Sequence, residues 1–407
     1  MDIQNFSALF NTPARREAFL KLIKDNKTKH IFIQGLEGSS IALFFSNLLE
    51  HKQAHILIAN DLDEAGYLYN DLVQINGNDH ILLFPSGYKR DIKYGQPDPP
   101  SEILRTEVLN RLCQKGESLL IVTYPEAIAE KVVPVNMLSE QTLHIDKNSK
   151  CDIITLSDKL RERGFEEVDY VYEPGQFAVR GSILDVFSYT NELPYRIDFF
   201  GKEVESIRTF EVETQLSTGK LEEVYIVANV CGQEASGISI LDFIDKNTIL
   251  ICHNLSWVID RISTIASESL SEQTLIAEEG DRYAMQKIID VTAFQKKITT
   301  FRRIDYGASS EANAPAVIRF NCAPQGVYHK NFDLVSQSFS QFIEKGYTLY
   351  ILSDSEKQIE RLQAIFEERG DSISFTPVLK TLHEGFVDND LKIGCFTDHQ
   401  IFDRFHK

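Results

Sequence analysis

Short apolar runs alternate with helix-like stretches through the first 135 residues, and that alternation restricts the chain to few architectures. His30-Ile31-Phe32-Ile33-Gln34-Gly35, His55 to Ala59, Ile81 to Pro85 and Leu119 to Val122 are each the length of a strand and apolar without polar alternation. Strands of that kind are buried on both faces, as in a parallel sheet. The intervening stretches Ser39 to Leu49, Leu62 to Val73 and Ser101 to Leu112 carry helical spacing, giving the crossovers that parallel neighbours need. The expected core is therefore a parallel α/β sheet with right-handed connections. At 407 residues the chain is too long for one ordinary core, so three or four units are expected.

The turn after the first strand, Gly35-Leu36-Glu37-Gly38-Ser39-Ser40-Ile41-Ala42, sits where a phosphate-binding loop would sit. Such a loop needs a second glycine for close backbone approach, a lysine for the β and γ phosphates and a hydroxyl for magnesium. Here Ser40 stands at the glycine, Ile41 at the lysine and Ala42 at the hydroxyl, and Glu37 adds negative charge. The turn is expected to be a degenerate P-loop.

The pattern changes between Pro174 and Glu213. Phe177 to Arg180 and Ile183 to Phe187 have strand character and are broken by Gly181; Tyr195 to Phe200 is a further strand after a polar turn around Asn191. Alternation puts Tyr195, Ile197 and Phe199 on one face and Arg196, Asp198 and Phe200 on the other. An arginine beside a large aromatic makes a good interface anchor. Strand pattern alone favours the plainer reading, a solvated face with an Arg196–Asp198 pair and a partly buried Phe200.

The run GQFAVRGSILDVF, followed by ELPYRIDFFGKEVESIRTFEVETQ, resembles the UvrA-binding module of the bacterial transcription-repair coupling factor family, and more distantly that of UvrB. The resemblance implies contacts to UvrA from Arg180, Arg196 and Phe200, with Asp198 at a position that is acidic in relatives. It also implies a plan: a degenerate P-loop-type core over 1–135 and 217–312, an inserted α+β module over 136–216, and a small α/β domain over 313–407. In that plan the strand Thr248 to Cys252 ends at His253 and Asn254, where UvrB-like proteins carry the Walker B acids. A packed or capping role is expected for His253. Relatives continue with a polymerase-binding domain and a translocase motor that uses ATP and magnesium. The chain is thus expected to be a fragment without cofactor or catalysis, the half that recruits UvrA, with RNA polymerase and duplex DNA engaged by the other half. The competing reading is a UvrB-like, ATP-dependent damage-recognition protein, which needs the phosphate and magnesium groups missing here.

Composition narrows the rest. A net charge of −18 disfavours a tight duplex-DNA surface, which would need a basic stripe; clusters such as Lys159-Arg161-Arg163 are short. Six scattered cysteines with no CxxC argue for reduced thiols in a cytoplasm, and ten histidines show no metal spacing. No segment has the apolar length of a membrane span, and the N-terminus is no signal peptide. Gly307 to Pro315 is the clearest linker, followed by helices over Phe332 to Lys345 and Ser355 to Glu368 and strands over Thr348 to Ser353, Ser372 to Phe375 and Leu391 to Phe396.

Overall fold

A computed structural model describes the chain except for residues 88–97, 115, 231–236, 274–287, 309–315 and 405–407. Two helices come first. Ile3–Phe10 is capped by Asp2, whose side chain accepts from Asn5 N–H, and Pro13–Lys24 by Thr12, with proline at its first position. Strands β1 (His30–Gln34), β2 (Ala54–Ile58), β3 (Ile81–Leu83) and β4 (Leu119–Thr123) follow. A long excursion then supplies β5 (Thr142–Asp146), β6 (Glu166–Glu167), β7 (Gln176–Arg180) and β8 (Ile183–Val186). It continues with β9 (Tyr195–Phe200), β10 (Glu203–Phe210), β11 (Ser217–Leu221) and β12 (Glu223–Val227). The chain returns with β13 (Ile249–Cys252), β14 (Arg302–Gly307) and β15 (Ala316–Arg319). Last come β16 (Cys322–Pro324), β17 (Thr348–Leu352), β18 (Thr376–Val378), β19 (Phe386–Asp388) and β20 (Ile393–Thr397).

The core is a seven-stranded sheet in the order β15-β1-β14-β13-β2-β4-β3, parallel at every pair. The continuous apolar runs are matched by burial: every residue of β4 and of β13 is buried. The excursion forms a six-stranded sheet, β11-β10-β9-β8-β7-β6, and a two-stranded ribbon of β5 and β12. Its own core gathers Leu156 and Leu160 of the helix Ile153–Glu162 with Phe177, Leu184, Ile197, Phe199, Ile207 and Ile226. The last unit is a five-stranded sheet, β16-β19-β20-β17-β18, with a core around Phe339, Phe366 and Phe396.

Several boundaries differ from expectation. β11 and β12 belong to the inserted module and not to the core, because β11 pairs with β10 and β12 pairs with β5. β15 belongs to the core sheet and not to the last domain, because it extends the sheet beside β1. The expected strand at Ser372 to Phe375 forms instead at Thr376–Val378, where pairing with β17 is available. Ahead of β14, Val291–Ile298 is helical. The linker lies largely outside the described residues.

Candidate protein-interaction site

Strand register assembles one face of the six-stranded sheet from five strands, β7 to β11. Arg180 pairs with Ile183, Ile183 with Asp198 and Asp198 with Ser206, so these share a row. The next row runs Ala178, Asp185, Arg196, Arg208 and Lys220. β7 and β9 each end in a two-residue turn that opens with glycine, Gly181 at φ 63° and Gly201 at φ 64°. Glycine accepts that left-handed conformation without steric cost. Because β7 and β9 point the same way on either side of β8, Arg180 and Phe200 lie at the same end of the sheet.

The four candidate residues of this module share that face but have different environments. Phe200 is 77% exposed, an unusual position for so large an apolar group. Arg180 is half-buried; it pairs with Asp185 and its guanidinium lies 5.2 Å from the centre of the exposed Tyr170 ring. Arg196 is held inside the sheet. Its Nε and Nη2 donate to the two oxygens of Asp185 at 2.7 and 2.8 Å, its Nη1 donates to the Gln215 carbonyl at 3.0 Å, and its plane covers the buried Phe210 ring at 4.3 Å. Only 13% of the Arg196 side chain is exposed, and 1% of that of Asp185. Asp198 pairs with Arg208 rather than with Arg196. The alternative of an Arg196–Asp198 pair beside a partly buried Phe200 is therefore not what forms. Asp185 gives no signal of its role in the sequence because it sits in an apolar strand, and only register places it between two arginines.

The P-loop-like turn keeps its bend. Gly35 and Gly38 have φ of 83° and 54°. Ser39 and Ser40 are buried, Ile41 is partly buried against the core and Ala42 lies within it. Ser40 Oγ donates to the Glu37 carbonyl and accepts from the Glu37 N–H, closing the turn on itself. The last unit crosses this turn: Cys322 N–H donates to the Gly35 carbonyl and Ser39 N–H to the Glu384 carbonyl. His253 is exposed and edge-on to Tyr306 at 5.4 Å, neither buried nor a cap. The cap is Asn254, whose side chain accepts from Trp257 N–H at 3.0 Å.

One cluster of potentially reactive type was not foreseen. Adjacent strands bring His30 and Cys252 to opposite oxygens of Asp305, at 2.7 and 3.2 Å. Cys252 is buried, and desolvation followed by the Asp305 charge pushes its thiol well above the ordinary value. A thiol so held is a poor nucleophile. No helix among the described residues is long and apolar enough to cross a membrane.

A family model described as the UvrB interaction domain matches residues 143–230. That span agrees with the β5–β12 unit and supports the later boundary found in the fold. A transcription-repair-coupling factor of Staphylococcus aureus is 22% identical over 445 residues, covering 91% of this chain and 38% of the relative. One of Staphylococcus epidermidis is 20% identical over 422 residues, covering 88% and 35%. The chain spans little more than a third of the length of these relatives. The stretch that matches the UvrB interaction domain lies within a parallel-sheet α/β framework, and along nine-tenths of its length the chain is similar to transcription-repair-coupling factors.

Proposed function

We propose that the chain recruits UvrA in transcription-coupled nucleotide excision repair, docking it through the end of the six-stranded sheet that carries Arg180 and Phe200. The observation that carries this reading is the exposure of Phe200 beside Arg180 within the matched domain. An exposed ring supplies apolar contact area, and an arginine fork with free N–H groups can grip a partner carboxylate. Arg196 supports the face from within, by fixing Asp185 and hence Arg180. Asp198 does the same for Arg208. The role is one of recruitment without catalysis: the turn Gly35–Ala42 offers neither lysine nor magnesium-binding hydroxyl, and the last unit exchanges hydrogen bonds with its backbone. RNA polymerase, duplex DNA, ATP and magnesium belong to other parts of a longer protein of this family.

A pull-down with purified UvrA tests the reading. The wild-type chain is expected to retain UvrA and to be displaced by excess UvrB. Arg180→Ala and Phe200→Ala are each expected to weaken retention by about thirtyfold, equivalent to about 2 kcal/mol. Retention of UvrA at wild-type level by both variants, or simultaneous capture of UvrB at the same surface, would refute it.

A further inference from the structure

The last unit meets the vestigial turn through a two-way set of hydrogen bonds. Ser39 N–H donates to the Glu384 carbonyl at 3.1 Å, and Glu384 N–H donates back to Ser39 Oγ at 2.9 Å. Ser39 Oγ donates to one oxygen of Asp71, and the other accepts from His383 N–H at 2.7 Å. Ser39 and Asp71 are both buried, so these bonds are made away from water. Glycine is required where the backbones touch: a Cβ on Gly38 would lie 2.8 Å from the Gly385 carbonyl oxygen, and one on Gly35 only 2.1 Å from that of Phe320. Over this seam the Tyr67 ring stacks on the His383 ring, 3.5 Å between centres and 8° from parallel. Farther along, Arg15 donates to both oxygens of the fully buried Asp388, and Phe10 packs edge-on to Phe386.

We infer that the turn Gly35–Ala42 is an intramolecular binding site whose ligand is the Leu382–Gly385 segment, and that this contact couples the last unit to the seven-stranded sheet. The position that holds phosphate in nucleotide-binding relatives of this fold has a peptide backbone as its resident occupant. The seam satisfies backbone donors on both sides, and the core aromatic cluster runs across it, from Phe6 against Tyr350 to Phe44 against Phe320. Unfastening it would expose Asp71 and these apolar groups together. The inference rests on the seam alone and is independent of what the inserted module binds.

Amide hydrogen exchange on the whole chain tests it. In the wild type, residues 383 and 384 are expected to be strongly protected, and β17 and β20 to open with the same free energy as β1. Ser39→Ala removes the hydroxyl that serves both Asp71 and Glu384; it is expected to speed exchange at 383–384 by about tenfold or more. β17 and β20 should then open more readily than β1, while β8 and β9 of the module keep wild-type rates. Tyr67→Ala removes the half-exposed stacked ring without opening a core cavity and is expected to speed exchange at 383–384 severalfold. If Ser39→Ala loosens the module as well, it has unfolded the chain, and the rates in Tyr67→Ala then decide. Wild-type rates at 383–384 in a folded Ser39→Ala and in Tyr67→Ala, or unprotected amides there in the wild type, would overturn the inference.

Discussion

Arg196 grips Asp185 side-on, its Nε and Nη2 matched to the two carboxylate oxygens at 2.7 and 2.8 Å. Asp185 has almost no solvent contact, so its charge depends on this fork and on Arg180. Arg196→Ala should therefore act twice. Loss of charge-assisted bonds to a buried carboxylate should destabilise the module by about 2 kcal/mol or more. UvrA retention should also fall, because Arg180 loses its anchor. Thermal unfolding and pull-down on the same sample check both effects. Arg196→Lys, with charge but no fork, should recover only part of either.

Phe200 offers the contrasting case. Its ring is exposed, so Phe200→Ala should change stability by less than about 0.5 kcal/mol. Binding of UvrA should still weaken by about thirtyfold. Titration calorimetry beside a melting curve separates the two, and a marked fall in melting temperature would mean that the ring is structural.

Asp71 makes stability depend on pH. Burial, with a smaller contribution from Glu384, pushes its carboxyl up to about 7, against the hydrogen bonds from Ser39 and His383 that favour the charged form. A folded-state value above the unfolded one means that its contribution is full below about pH 4 and is lost as pH rises to about 7. Relative to Asp71→Asn, the wild type should lose at most about 1.4 kcal/mol per pH unit across that window and level off above it. Denaturant unfolding of both proteins from about pH 4 to 8 measures the difference; parallel curves would contradict it.

Mg-ATP titrated into the chain should give no saturable heat. Ile41 and Ala42 are packed into or against the core, and the Ser39 N–H is engaged by Glu384. Clear saturation would show that the turn still accepts phosphate.

Local patterns foretell the parallel sheet and the placing of Arg196, Asp198 and Phe200 on one face, since period and turn chemistry act over a few residues. Contacts between distant parts stay hidden. Nothing near Ala316 announces that it will lie beside Ile31, and nothing near Asp71 announces His383. The same holds for the site: that Arg196 commits its fork to Asp185 depends on β8–β9 register, which composition does not disclose. The limits of the inserted module escape a sequence reading because β11 is polar at most positions and β12 pairs with β5, far upstream in the chain.

The ribbon of β5 and β12 places Thr142 directly opposite Val227, so the chain leaves the core and re-enters it at neighbouring points. To the parallel sheet the module is topologically no more than a long hairpin loop, and loop length costs little once the ends are already together. Such an insert is portable: it should be possible to excise it and bridge its ends by a short turn, or carry it to another scaffold, with the end of its sheet that bears Arg180 and Phe200 intact. Selection could then reshape either part while leaving the other's folding undisturbed.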